Sequence, residues 1–71
     1  MKRYLVVFER TASGYSAYVP DLPGCATAGE TIGEAEANMR EAINEHIDML
    51  RAAGDPIPTP SAHVSFVVVG T

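Results

Sequence analysis

Residues 15–29 read Tyr15-Ser16-Ala17-Tyr18-Val19-Pro20-Asp21-Leu22-Pro23-Gly24-Cys25-Ala26-Thr27-Ala28-Gly29, and Glu30-Thr31-Ile32-Gly33-Glu34 follows directly. Pro20 and Pro23 bracket Asp21-Leu22. Each proline fixes φ and removes a backbone donor, so together with Gly24 they make a rigid corner. Ahead of the corner, Tyr15 to Val19 alternates as a strand does. Behind it, Cys25 to Glu30 predicts a short third strand joined closely to a helix.

Toward the N-terminus, Tyr4 to Glu9 is apolar and β-branched or aromatic, and Arg10-Thr11-Ala12-Ser13-Gly14 is a loop, so the two runs predict a hairpin. Toward the C-terminus, Thr31 and Glu34 have capping-box spacing, in which the hydroxyl and the carboxylate each accept a backbone N–H. The helix is therefore expected to begin at Ile32. Ile32, Ala35, Met39, Ala42, Ile43, His46, Ile47 and Leu50 recur at steps of about three and four, one apolar stripe. Gly54 and Pro56 stop it. The run Asp55-Pro56-Ile57-Pro58-Thr59-Pro60-Ser61 is held extended by its alternating prolines, a stiff connector to a last strand from His63 to Val69.

This order predicts an α+β fold, β-β-β-α-β. The expectation is one domain over residues 1–71, with a four-stranded mixed sheet and one helix on one face, the last strand lying parallel to the first through a right-handed crossover. One helix covers only one face. Yet the first and last strands are apolar on both, since Tyr4, Val6 and Phe8 alternate with Leu5 and Val7, and Val64, Phe66 and Val68 with Val67 and Val69. Leu5, Val7, Val67 and Val69 are therefore expected to form an interface between copies, in a dimer or tetramer.

A chain of 71 residues with one cysteine and no metal-ligand spacing has few staples, which also favours self-association. The apolar fraction of 46% excludes disorder. Net charge is −4 with a pI near 4.9, and Lys2 is the sole lysine, which argues against direct nucleic-acid binding and favours a basic partner. The apolar run after Met1-Lys2-Arg3 is too short for a signal peptide, and the lone Cys25 suits a reducing compartment, so the expected location is the cytoplasm, with no membrane partner.

Gly14 through Cys25, with its Asp-Leu-Pro-Gly-Cys corner, the small residues up to Gly29, Thr31-Ile32-Gly33-Glu34-Ala35 with Asn38, and Pro56-Ile57-Pro58 resemble the HicB antitoxin family along nearly the whole chain. The resemblance implies a partial ribonuclease-H-like domain that binds a small basic toxin of HicA type, a ribonuclease acting on messenger RNA, and masks its active site. It also implies oligomers. Many members carry a C-terminal DNA-binding segment that has no counterpart after Val69 in this sequence. A solitary homo-oligomeric domain with a structural or small-ligand role is the alternative.

A ribonuclease-H-like fold raises the question of two-metal nuclease chemistry, which needs converging carboxylates. Tyr4 to Phe8 and His63 to Val69 contain none, so no enzyme activity, cofactor or metal is expected. Cys25 with His46 or His63 supplies the residue types of thiolate catalysis without an accompanying motif, and a small residue packed behind the corner is the simpler account of Cys25. Glu34, Glu41, Glu45 and Asp48 share one side of the helix at steps of seven, four and three. They form an acidic ridge, partly neutralised by Arg40 near Glu36 and Arg51 near Asp48. The ridge, the corner residues Asp21, Leu22 and Pro23, and Tyr18 are the candidate partner contacts. Tyr15 and Tyr18 are expected on opposite faces of their strand.

Overall fold

A computed structural model describes residues 2–71. Three strands, β1 (Val7–Arg10), β2 (Tyr15–Tyr18) and β3 (Ala26–Gly29), form an antiparallel sheet in the order β1-β2-β3, and α1 (Ile32–Ala53) packs across it. In register, Phe8 stands opposite Ala17 and Ala17 opposite Thr27, while Val7 stands opposite Tyr18 and Tyr18 opposite Ala26. Paired residues share a face, so Phe8, Ala17 and Thr27 lie toward the helix and Val7, Tyr18 and Ala26 on the other side.

The core consists of Ala17, Val19, Leu22, Cys25 and Met39, with Tyr4, Val6, Phe8, Ala42 and Ile43 packed around it. Ala35 is buried where α1 crosses β3. A Cβ on Gly29 would lie 2.5 Å from the Ala35 backbone nitrogen, so the absence of a side chain there is what lets helix and strand approach.

The helix limits follow from local chemistry. Thr31 Oγ1 accepts from the Glu34 N–H at 3.1 Å, and Glu34 Oε1 accepts from the Glu30 N–H at 3.3 Å. At the other end Gly54 adopts φ 73°, its N–H donates to the Arg51 carbonyl and the Asp55 N–H to the Leu50 carbonyl. That is a Schellman closure. Ile32 departs from the expected stripe. It is exposed at the first position of α1, while Ala35 and Met39 enter the core.

The expected fourth strand is absent among the described residues: the sheet has three strands and is wholly antiparallel, not mixed. The connector does return toward the β1 side, where Tyr4 donates its hydroxyl proton to the Pro58 carbonyl at 2.6 Å. Beyond it His63 to Val69 run in the open, with Phe66 95% and Val68 97% exposed. A strand apolar on both faces needs cover on both. One helix supplies a single layer, and α1 packs mainly on β2 and β3.

Candidate functional site

The corner is two turns in series. The Leu22 N–H donates to the Val19 carbonyl at 3.1 Å, with Pro20 second in that turn, and the Cys25 N–H donates to the Leu22 carbonyl at 3.0 Å, with Pro23 second and Gly24 third. Gly24 has φ 86°. Proline followed by a left-handed glycine is the requirement of a type II turn. A bond from the Val19 N–H to the Cys25 carbonyl closes the neck at 3.1 Å. This folding turns Leu22 inward, 0% exposed, and leaves Pro23 outside. Leu22 is therefore a core residue, not the surface contact expected from its place in the corner.

Asp21 has a local role that its sequence position did not disclose. Its Oδ2 accepts from the backbone N–H groups of Ser61 and Ala62, each at 2.9 Å, and its Oδ1 accepts from the Ser61 hydroxyl at 2.9 Å. These bonds, that from Ala62 foremost, hold the carboxyl below its ordinary range. Corner and connector are thereby clasped. The only sequence signal was an acidic side chain in a rigid turn and a serine directly after the last connector proline.

Of the ridge, Glu34, Glu41, Glu45 and Asp48 are all exposed. Glu34 is engaged in the helix cap, and Asp48 lies 3.9 Å from Arg51, an exposed pair of small value. Among the described residues no cation stands within ion-pair distance of Glu41 or Glu45, and the expected Glu36–Arg40 pair does not form. Glu45 also borders, with Gly24 and Cys25, a small cavity of about 190 Å³. The acidic helix surface and the corner thus adjoin, while Glu34 stands apart at the helix start.

Tyr18 is exposed at 43% on the sheet face away from the helix, directly opposite Val7. Leu5 and Val7 are half-buried. Tyr15, on the helix side of the sheet by alternation, carries the Arg10 guanidinium 5.8 Å above its ring. Val67 and Val69 are exposed in the extended C-terminal segment, outside the sheet to which Val7 belongs.

Among the described residues, Cys25 and the two histidines do not form an activated thiolate site. Cys25 and His46 line the same small cavity, but Cys25 is 4% exposed, its Sγ faces Met39 Sδ at 4.0 Å, and burial raises its pKa. A nucleophilic thiol needs the opposite shift. His63 is exposed beside the connector. Among the described residues no three His, Cys, Asp or Glu side chains converge as metal ligands, and no helix is long and apolar enough to cross a membrane.

Comparison with known proteins places this arrangement. The family model described as "HicB_like antitoxin of bacterial toxin-antitoxin system" matches residues 4–67. An uncharacterized 14.9 kDa protein of Haemophilus phage HP1 is 40% identical over 55 residues, 78% of this chain and 41% of the phage protein. Antitoxin HicB 2 of Photorhabdus laumondii is 37% identical over 59 residues, 83% of this chain and 42% of that antitoxin. The chain thus spans about two fifths of the length of both relatives. A chain from a solved structure titled "HicA3 and HicB3 toxin-antitoxin complex" superposes with a TM-score of 0.73 at 35% identity, covering 84% of this chain and 70% of that one.

Proposed function

Because this chain belongs to the HicB-like antitoxins of bacterial toxin–antitoxin systems, we propose that it neutralises a small basic toxin of HicA type by direct contact, masking the toxin's messenger-RNA-cleaving site without catalysis of its own. The observation that carries this reading is the likeness, over 84% of the chain, to a chain from a solved toxin–antitoxin complex. The surface chemistry agrees with it. Glu41 and Glu45 stand exposed one helical turn apart, a like-charge pair that a bound cation relieves, and net charge −4 steers a basic partner inward. The proposed contact surface is Glu41, Glu45 and Asp48 with Pro23 and Gly24 beside them, and Tyr18 an aromatic anchor on the other face.

The test is co-expression with a short basic reading frame adjacent to this gene, scored by growth rescue and co-purification. Rescue with a stable complex is the expected result. The double reversal Glu41→Lys with Glu45→Lys should slow association and weaken the complex. Unchanged affinity removes the acidic surface from the interface, and failure of any toxin to bind leaves the solitary oligomeric domain as the better reading.

A further inference from the structure

The outer edge of β1, the groove beside it and the extended C-terminal segment are complementary pieces, yet inside one molecule the segment leaves the groove after Val64. β1 pairs only with β2, so among the described residues its other edge has unpaired backbone groups. Alongside lies an open groove of about 740 Å³, walled by Tyr4, Val6 and Phe8 on one side and Met39 and Ile43 of α1 on the other. Only the start of the C-terminal segment, Ala62 to Val64, reaches its rim. The next residues, Phe66, Val67, Val68 and Val69, have strand-forming side chains and are 70% to 97% exposed.

We propose that the groove and the β1 edge are filled by residues 64–69 of a second copy of this chain, and that two copies exchange these segments reciprocally. Three features favour a second copy as the occupant. First, the connector is stiffened by Pro56, Pro58 and Pro60 and tied at Pro58 by Tyr4 and at Ser61 and Ala62 by Asp21, so the segment leaves in a fixed direction. A short constrained hinge is the circumstance in which elements exchange between copies. Second, the segment is apolar on both of its faces, and exchange covers both, one against the recipient's groove and the other against the reciprocal segment or the recipient's sheet. Third, the area suffices. A phenylalanine contributes roughly 150 Å² or more when buried, and with four valines and the surface they cover, two exchanged segments remove on the order of 1,000 Å² or more from water. That meets the size of a specific interface. The inference stands independently of the toxin reading, since it concerns only contacts between identical chains.

The experiment uses the full chain. Sedimentation at micromolar concentration should give a dimer, and a mixture of isotope-labelled and unlabelled copies should show magnetisation transfer between chains from Phe66 and Val68 to Val6, Phe8 and Ile43. Phe66→Asp with Val68→Asp should weaken self-association on the order of 100-fold or more with the helical circular dichroism retained. A monodisperse monomer overturns the proposal. So does a dimer whose Phe66 contacts arise only within one chain, the segment then being an ordinary fourth strand, and so does a dimer that leaves Phe66 free in solvent.

Discussion

The Asp21 carboxylate and the Ser61 backbone nitrogen lie 40 residues apart in sequence and 2.9 Å apart in space, with the Ser61 hydroxyl and the Ala62 N–H completing the clasp. Because the folded carboxyl titrates below its ordinary value of 3.8, the clasp contributes fully above that value and is lost as pH falls through the lower, folded one. Amide exchange at Ser61 and Ala62 should therefore be insensitive to carboxylate titration near neutrality and accelerate specifically in strong acid. Asp21→Ala should give the same fast exchange at neutral pH while the sheet and helix amides keep their protection.

Gly29 should tolerate no side chain. The added Cβ of Gly29→Ala would meet the Ala35 nitrogen at 2.5 Å and the Ala35 Cα at 2.9 Å, backbone atoms that no rotamer change can move. The expected loss in chemical denaturation is about 1–3 kcal/mol. Gly33→Ala is the matched control, since its Cβ enters open space in the first turn of the helix, and it should be neutral or stabilise by up to about 1 kcal/mol.

Leu22 and Pro23 are neighbours with opposite exposure. Leu22→Ala empties a fully buried site and should cost about 2–5 kcal/mol. Pro23→Ala removes only the restriction that the ring places on the unfolded chain, and about 0.4–1 kcal/mol is expected. Thermal melts of the two variants separate the corner's interior from its exterior.

Cys25 should behave as a packed thiol. With 4% exposure and a pKa raised by burial, it should react with iodoacetamide far more slowly in the folded protein than in denaturant. Equal rates in the two states would show that the corner opens readily.

What could be read from the sequence was what neighbouring residues decide among themselves. The hairpin, the two proline turns, the Thr31 cap and the Gly54 stop are each encoded within a few positions, and α1 begins at Ile32 as its capping residues specify. The last strand was not legible in this way. His63 to Val69 have the composition of a strand, but a strand exists only when it is paired, and in the described residues this segment joins neither free edge of the sheet. Leu22 was misplaced for a related reason: two consecutive turns reverse the side chain between them, which composition alone does not show. The Asp21 clasp spans 40 residues and has no local pattern at all. By contrast the acidic helix face was readable, because positions on one helix face follow from spacing, and Glu41 and Glu45 are exposed as that spacing requires.

The rigidity of the Pro56–Pro60 connector has a consequence for symmetry. A segment that leaves its own domain can be accepted in return by the domain that donates to it, which closes the assembly at two, or handed onward head to tail, which leaves an unending chain. The choice rests on the angle of departure. By fixing Ser61 and Ala62 against the corner, Asp21 sets that angle. In the proposed exchange, a single carboxylate thus helps decide between a closed particle and open-ended growth.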